Sequence, residues 1–377
     1  MQGSVIKYEG KRGVSWTFVI DVGRDADGKR IQKWRRGFPT KKAAEAAMRL
    51  ELHERQSGAY IEKNPETVGA LLDRWLTTVA RHKVKPTTLE DYALSVRKHL
   101  KPVLGHIPVQ ALTSATVQKF YSDRLDAGIG ARTVQLCHQR LQQALALAER
   151  EGIVSRNVCS STEPPKAPPK PGTSWTAEEA RRFLRAAETD PYWPLWLLAL
   201  KTGLRRGELL GLRWKDLDLD RELLMVRQSL VLLNGSPIIQ APKTDASRRT
   251  VKLSADVVAA LRNHRLIQAE RRLASTEWAT GDLVFCTRDG KLLNPNNVYR
   301  NYQAIIERTG VPRITLHGAR HTHTTLALAS GAPIKAVSER LGHARSSITL
   351  DTYAHVLPDM QDRVIDAIDA ALLRNSS

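Results

Sequence analysis

The chain has 377 residues, of which 42% are hydrophobic, and its 58 Lys and Arg outnumber 39 Asp and Glu to leave a net charge of +19. This length and composition accommodate two or three domains with ordinary cores. The positive charge favours a polyanionic partner, although a basic surface that only maintains solubility gives the same composition. The first residues lack the apolar core of a signal peptide, and no run approaches about 18 apolar residues, so we expect a cytoplasmic protein without membrane contact.

Residues 1–63 predict a three-stranded antiparallel sheet followed by a helix. The central strand is predicted by alternating apolar residues, Trp16, Phe18, Ile20 and Val22. Asp27-Gly28 is typical of a hairpin turn, and the segment KWRRGF forms the next strand. An alanine-rich helix is expected after Thr40, its N-cap, and it would stop at Gly58.

Two larger units follow. Residues 64–159 are helical by periodicity, with an apolar stripe that comprises Val68, Leu71, Leu72, Trp75, Leu76 and Val79. Residues 160–174 contain five prolines without apolar periodicity and predict an extended linker. Residues 175–377 begin and end with helices and contain strand-like sequence around an Asn234-Gly235 turn. The predicted fold class is therefore mostly α with small antiparallel β-sheets, arranged as several domains.

The segment TGLRRGELLGL places a guanidinium near the start of a helix. Gly203 is expected to end one helix, and Arg205 to lie in the first turn of the next with Glu208 on the same side. An arginine followed three residues later by a glutamate is also a common surface ion pair. This segment alone leaves both interpretations open.

A second segment, HGARHTHTTLALASG, predicts a helix with His317 and Arg320 adjacent on one face. Its further histidines, His321 and His323, suggest a metal site. Two residues apart on a helix, however, they point about 200° apart and cannot share an ion, and no carboxylate set accompanies them. The cysteines are widely spaced and lack a C-x-x-C motif, so they indicate neither zinc nor a disulfide framework: Cys137, Cys159 and Cys286.

The last chemically distinctive segment is LGHARSSITLDTYAH. A short helix is expected to stop at Gly342, with His343 in the following turn and Tyr353 on the next helical segment. A tyrosine of this kind is usually a core residue with a tethered hydroxyl. The whole constellation indicates more, because paired guanidinium groups hold a phosphodiester, a tyrosine can attack it, and a histidine can take the phenolic proton.

These motifs, in this order, resemble those of the tyrosine recombinases, the phage integrase group. The resemblance implies that Arg205 is the first catalytic arginine, Glu208 its supporting acid, and Lys243 in QAPKTDASRRTVKL the general acid. It further implies that His317 and Arg320 form the H-x-x-R box, that His343 binds the phosphate, and that Tyr353 is the nucleophile. Gly318-Ala319 replaces the Asp-Leu found within the box in many relatives, with the spacing kept.

The same resemblance implies the domain roles and partners. Residues 1–63 would bind arm-type DNA sites through Lys33, Trp34, Arg35 and Arg36, and residues 64–159 and 175–377 would bind core-type sites on double-stranded DNA. Four protomers would assemble, and a directionality factor or host DNA-bending protein could assist. Strand exchange through a 3'-phosphotyrosyl ester and a four-way junction needs no cofactor, neither ATP nor a metal. The expected function is integration or excision of a phage or mobile element.

The apolar stripe of the tail predicts a helix that docks on a neighbouring protomer: Val364, Ile365, Ile368, Ala371 and Leu372. A groove in the same protomer is the alternative. Other functions also remain open at this point. They are a type IB topoisomerase, a resolvase of a plasmid or chromosome, a metal-dependent transposase or nuclease, and a DNA-binding regulator without catalysis.

Overall fold

The computed structural model describes residues 3–10, 13–24, 27–56, 60–168, 172–241, 248–279, 281–343 and 345–353, together with residues 365, 368, 369 and 372. The chain divides into two compact units, Met1–Ala167 and Pro168–Ser377. The division falls inside the proline-rich segment. The predicted class, mostly α with small antiparallel sheets, is confirmed. Among the described helices, none has the length and apolar character to cross a membrane.

The first unit opens with an antiparallel sheet of order β1-β2-β3, formed by Gly3–Gly10, Gly13–Arg24 and Arg30–Phe38. Helix α1, Lys41–Gln56, covers the face that carries Phe18 and Ile20, both of which are buried. Thr40 caps this helix as predicted, since its hydroxyl accepts from the Ala43 N–H at 3.1 Å. The predicted stop at Gly58 lies outside the described residues.

The rest of the first unit is helical. Its α-helices are α2 to α7: Val68–Trp75, Arg81–Lys83, Pro86–Ser95, Lys101–Leu104, Ser114–Asp126 and Ala131–Arg150. Short π-helical segments, Leu76–Ala80 and Val96–Leu100, join α2 to α3 and α4 to α5. The predicted apolar stripe packs as expected, with Leu71, Leu72 and Trp75 in the core.

The second unit begins with three helices, continues with strands and returns to helices. Helices α8 to α10 are Ala177–Ala187, Trp193–Thr202 and Arg206–Leu210. Strands β4 to β8 are Leu217–Asp218, Leu223–Val226, Ser229–Leu233, Ser236–Gln240 and Arg249–Lys252. Helices α11 to α15 are Ala255–Ala274, Pro295–Thr309, Leu316–Ala329, Ile334–Leu341 and Ser346–Tyr353.

The strands of this unit form two small antiparallel sheets. One has the order β4-β5-β8, and the other is the β6-β7 hairpin. The hairpin turns at Asn234 and Gly235, whose φ angles of 49° and 76° suit a two-residue turn of the predicted type. The first sheet matters for the site because β8 carries Arg249 into it.

Aromatic packing fixes the frame of the second unit. Phe183 of α8 lies 4.9 Å from Trp175 and 5.2 Å from Tyr302 of α12, between ring centroids, and Trp196 of α9 lies 5.3 Å from Tyr302. The backbone N–H of Trp175 donates to the buried Thr322 hydroxyl on α13 at 2.9 Å. Helix α13, which carries His317 and Arg320, is thereby anchored to the core.

Candidate active site

Arg205 is held at the junction between α9 and α10. Gly203 ends α9 in a left-handed conformation with φ of 65°, as predicted. Helix α10 starts at Arg206, so Arg205 directly precedes it instead of lying in its first turn. The two oxygens of Glu208 accept from the Arg205 backbone N–H and from Nη1, both at 2.9 Å. The predicted pair therefore orients a guanidinium that stays 38% exposed.

Arg320 is buried, with 3% of its surface exposed, in the middle of α13. Its Nη1 donates to the Gly203 carbonyl at 2.7 Å, and its Nη2 donates to the Leu341 carbonyl at 2.7 Å and to His343 Nε2 at 2.9 Å. A side chain on Gly203 would meet His323 Cδ2 at 2.7 Å. Glycine is therefore required where α9 brings its last carbonyl to Arg320.

The C-terminal end of α14 receives three arginines. The carbonyl of Arg340 accepts from Arg249 Nε at 2.6 Å, that of Leu341 accepts from Arg320, and that of Gly342 accepts from Arg205 Nη2 at 3.4 Å. The last carbonyls of a helix lack intrahelical donors and carry the negative end of its dipole. Gly342 is left-handed with φ of 67°, which ends the helix where predicted. Three consecutive carbonyls thus gather three guanidinium groups.

Arg249 is the residue that the sequence interpretation missed. It is almost as buried as Glu208, with 7% and 5% of the two side chains exposed, and its Nη2 lies 2.9 Å from Glu208 Oε2. Glu208 therefore binds both Arg205 and Arg249. The available signal was strand alternation, because Arg249 precedes the buried Val251 by two residues and so lies on the inward face of β8.

The charge state of Glu208 follows from these partners. Burial alone would raise the pKa of its carboxyl group, but the hydrogen bonds and charge of Arg249, followed by those of Arg205, outweigh burial and lower it. Glu208 is therefore an anion that offsets part of the charge of two arginines.

Arg340 also holds the end of α14 in place, because its side chain donates to the carbonyls of Lys252 and Lys201 at 3.1 and 3.0 Å.

His343 connects Arg320 to helix α15. Because its Nε2 accepts from Arg320, the proton of the neutral ring lies on Nδ1, which is 2.7 Å from the buried Thr349 hydroxyl oxygen. Burial, followed by the charges of Arg320 and Arg205, lowers the pKa of His343 to about 4. The ring is therefore neutral at pH 7.

His317 lies at the surface of the site, on the same helix as Arg320. Its ring centroid is 4.8 Å from that of His321, with the two rings perpendicular. Partial desolvation and the charges of His321, Arg320 and Arg205 lower the pKa of His317, which favours its neutral form. His323 lies apart from this pair, and its Nδ1 donates to the Leu200 carbonyl at 2.9 Å. Among the described residues, no group of three His, Cys, Asp or Glu side chains is arranged to hold a metal ion.

The catalytic roles of all the predicted site residues stay predictions, and two of these residues have side chains that the structure does not describe. Tyr353 is the last residue of α15, but its side chain lies outside the described part of the chain. Lys243 belongs to residues 242–247, between β7 and β8, and also lies outside the described residues. Arg205, Glu208, Arg320 and His343 are the predicted residues that direct hydrogen bonds bring together.

The proposed arm-site residues fall on different surfaces of the N-terminal sheet. Residues paired across an antiparallel ladder share a face, and Arg35 and Lys33 pair with Phe18 and Ile20 on the face that α1 covers. Trp34 pairs with Val19 on the opposite face and is 46% exposed.

Contacts within the chain further distinguish Lys33 and Arg35 from Trp34 and Arg36. Arg35 donates to the Tyr60 hydroxyl at 2.7 Å and lies 3.3 Å from Glu51, and Lys33 forms an ion pair with Glu62. Arg36 is exposed. Trp34 and Arg36 therefore offer more accessible side chains to a ligand than Lys33 and Arg35.

Comparison with known proteins gives the family. The model of the phage integrase family matches residues 174–360, which include the arginine and histidine cluster and Tyr353. Models of an arm DNA-binding domain and of a phage integrase N-terminal SAM-like domain match residues 5–54 and 67–124. A protein of Caldanaerobacter subterraneus subsp. tengcongensis described as tyrosine recombinase XerC-like is 31% identical over 375 residues, covering 93% of this chain and 95% of that protein. The chain belongs to the phage integrase family of tyrosine recombinases.

The recombinase is thus an enzyme of site-specific DNA recombination, which breaks and rejoins DNA strands. The topoisomerase and resolvase alternatives are not favoured. The ICEBs1 integrase of Bacillus subtilis is 25% identical over 292 residues, covering 76% of the chain and 79% of that protein. Two solved structures share the fold.

The first is the Tn1549 transposon integrase in complex with a circular intermediate DNA, with a TM-score of 0.68 and 21% identity over 80% of this chain and 99% of that chain. The second is a lambda integrase tetramer bound to a Holliday junction, with a TM-score of 0.59 and 21% identity over 92% of this chain and 95% of that chain. The recombinase therefore shares its fold with the Tn1549 transposon integrase and with lambda integrase.

Replacing Arg249 by Met should lower the free energy of unfolding of the recombinase by about 3 kcal/mol, because the buried Glu208 loses its buried partner. DNA cleavage should fall as well, since Arg205 would then be the remaining arginine partner of Glu208 and its positive charge would be offset more fully. Adding Glu208→Gln should restore much of the stability without restoring cleavage. Urea denaturation and single-turnover cleavage measure both effects, with the exposed Arg248→Met as the matched control for stability. Equal stability of Arg249→Met and the wild type would contradict the role of the buried pair.

The stability of the recombinase should fall as the pH drops below about 6.5. Burial first, and then nearby arginines, lower the pKa of His323 and His343 to about 4 in the folded state. Below the usual histidine value near 6.5, the unfolded chain therefore binds protons that the folded chain excludes. The stabilising contribution of the two neutral histidines is fully present above about pH 6.5 and is lost progressively as the pH falls toward 4.

The variant His323→Asn isolates one histidine, because an amide N–H can still donate to Leu200. Its unfolding midpoint should depend less steeply on pH between 6.5 and 4.5 than that of the wild type. The exposed His106→Asn is the matched control. An unchanged slope in His323→Asn would show that this histidine does not contribute.

Proposed function

We propose that the recombinase cuts DNA by attack of the Tyr353 phenolic oxygen on a phosphodiester held by Arg205 and Arg320. A bond forms between this oxygen and phosphorus, and the bond from phosphorus to the 5'-oxygen breaks. Lys243 gives its proton to the leaving 5'-oxygen. The products are a 3'-phosphotyrosyl ester and a free 5'-hydroxyl, and the reverse reaction with a different 5'-hydroxyl rejoins the strands.

The observation that carries this proposal is the convergence of Arg205, Arg320 and His343 at the end of α14. Guanidinium groups bind phosphate oxygens at two points, and fixed cations stabilise the additional negative charge of a pentacoordinate transition state. Arg320 donates to the neutral carbonyls of Gly203 and Leu341 and to the neutral ring of His343, and these three contacts leave the guanidinium group positively charged. A buried arginine in this state favours an anionic ligand.

The phenolic proton requires an acceptor, and a neutral histidine is suitable. His317 and His343 both have lowered pKa values and are neutral at pH 7, so a ring nitrogen of His317 can accept the proton, whereas Nε2 of His343 already accepts from Arg320. The arriving phosphate adds negative charge beside them, which raises their pKa values and makes a proton easier to accept. The energy of the broken bond is retained in the phosphotyrosyl ester. The proposed reaction therefore uses neither ATP nor a metal cofactor.

We further propose the division of DNA binding among the domains. Residues 64–159 and 175–377, joined by the linker 160–174, bind the core-type site on double-stranded DNA. Residues 1–63 bind an arm-type site through the exposed Trp34 and Arg36, while Lys33 and Arg35 support the sheet from its other face. The match of residues 5–54 to an arm DNA-binding domain supports this division.

The proposed assembly is a homotetramer on DNA. Ile365, Ile368 and Leu372 are helical and 56%, 52% and 71% exposed, so these apolar side chains are not buried in their own chain. Val364 and Ala371 of the predicted stripe lie outside the described residues. Docking of this tail on a second copy would bury the stripe. Lambda integrase forms a tetramer on a Holliday junction, which supports the same arrangement here.

The biological role that fits best is movement of a mobile element or phage genome into and out of a chromosome. The ICEBs1 integrase, the Tn1549 transposon integrase and an integrase of Mycobacterium phage D29 are all similar to the recombinase. A directionality factor or a DNA-bending protein of the host would select between the two directions.

Tyr353→Phe should abolish covalent attachment to a nicked core-site substrate while half-site binding is unchanged, because only the nucleophilic oxygen is removed. Arg320→Lys should slow cleavage about a hundredfold or more, since an ammonium group cannot bind two phosphate oxygens in the same geometry. Denaturing gels detect the adduct, and the exposed Arg308→Lys is the control. A covalent adduct formed by Tyr353→Phe would show that Tyr353 is not the nucleophile.

Replacing both Trp34 and Arg36 by Ala should weaken binding to arm-type DNA about tenfold or more and leave core-site cleavage unchanged. Lys33→Ala serves as the matched control, because its partner Glu62 lies in the same chain. Fluorescence anisotropy with arm and core duplexes separates the two activities. Equal loss in the Lys33 variant would indicate that the sheet binds DNA through its other face.

A further inference from the structure

Helix α15 carries a buried hydroxyl at its centre. Thr349 is fully buried, and its oxygen lies 2.7 Å from His343 Nδ1. The neighbouring helix positions 346, 347 and 350 are exposed. A hydrogen bond between a ring nitrogen and a buried hydroxyl therefore joins α15 to the histidine that contacts Arg320.

The direction of this bond follows from the other side of the ring. Arg320 has no acceptor, so its Nη2 must donate to His343 Nε2, and the neutral ring then carries its proton on Nδ1. His343 Nδ1 donates to Thr349, and the order of donation runs from Arg320 through His343 to α15. The bonds from Arg320 to the Gly203 and Leu341 carbonyls do not involve Thr349.

We propose that Thr349 is a positioning residue that sets the place of helix α15, and with it Tyr353, relative to the phosphate-binding arginine. The inference rests on the proposed role of Tyr353 as nucleophile. Positions 349 and 353 are one helical turn apart and lie on the same face of α15. A constraint at 349 therefore acts on 353 through one turn of hydrogen-bonded helix, about 5.4 Å along the axis.

Physical chemistry explains why one hydroxyl suffices. Attack on phosphorus requires the entering oxygen within about 3–3.5 Å and in line with the leaving group, and a displacement of about 1 Å can cost a hundredfold in rate. Helix α15 begins shortly after the exposed Arg345. The hydrogen bond from His343 to Thr349 connects α15, through His343, to Arg320, which is proposed to bind the phosphate.

The test uses two pairs of variants that differ in the hydroxyl group alone. Thr349→Val is compared with the wild type, and Thr349→Ala is compared with Thr349→Ser. Single-turnover formation of the covalent adduct on a nicked core-site duplex is measured, together with half-site affinity and the unfolding midpoint. Ser347→Ala removes an exposed hydroxyl from the same helix and is the matched control.

We expect Thr349→Val to form the adduct about ten- to a hundredfold more slowly at unchanged DNA affinity, and Thr349→Ser to stay within about threefold of the wild type. If Thr349→Val does not fold, the same ratio is expected between the Ala and Ser variants. A valine variant as fast as the wild type would overturn the inference. A serine variant as slow as the alanine variant would overturn it too, because packing of the methyl group would then be the cause.

Tyr353→Phe is assayed in parallel to keep the two proposals distinct. An adduct in that variant would mean that the proposed nucleophile is wrong, whatever the Thr349 variants do. Loss of the adduct in Tyr353→Phe with no effect of the hydroxyl at 349 would leave the proposed function standing and reject the positioning role alone.

Discussion

The C-terminal end of helix α14 is the constraint on which the candidate site depends. Its last carbonyls accept from Arg249, Arg320 and Arg205, which arrive from β8, α13 and the start of α10. Helix α13 directly precedes α14 in the sequence, whereas β8 and α10 lie much earlier in the chain. The helix end therefore brings together parts of the second unit that the chain order separates.

The choice of acceptors also determines the charge of the site. A carboxylate facing each arginine would neutralise it, whereas a peptide carbonyl offers partial negative charge and leaves the full positive charge in place. The described residues place one buried carboxylate here, Glu208, between Arg205 and Arg249. Arg320 donates to two carbonyls, those of Gly203 and Leu341, and to the neutral His343 ring. Burial first, and then the same accumulated positive charge, lowers the pKa of His343.

Local signals in the sequence predicted much of this structure. The Asn234-Gly235 turn, the Thr40 cap and the glycine stops at 203 and 342 all appear as expected, because each depends on the backbone preferences of a few neighbouring residues. The H-x-x-R spacing likewise placed His317 and Arg320 on one helix. The recombinase motifs added the order of the catalytic residues along the chain.

Contacts between distant segments could not be predicted in this way. Arg249 lies 41 residues from Glu208, and Arg205 lies 137 residues from the carbonyl of Gly342. Strand alternation places Arg249 on the inward face of β8, but no local signal identifies Glu208 as its partner or the Gly342 carbonyl as the partner of Arg205. The division of Lys33 and Trp34 between two faces was foreseeable from strand alternation, but which face α1 covers depends on tertiary packing.

The acceptors at residues 340–342 are main-chain atoms, and this has a consequence for how the site changes during evolution. The carbonyl positions depend on where the helix ends, whereas the Arg340 and Leu341 side chains have separate hydrogen-bonding and packing roles. The positions of these three acceptors are therefore set by the backbone conformation, which an alignment of residue identities does not show. Similar anion-holding sites in unrelated chains would be recognised by a helix terminus that faces a buried arginine, and their sequences at that terminus need share nothing.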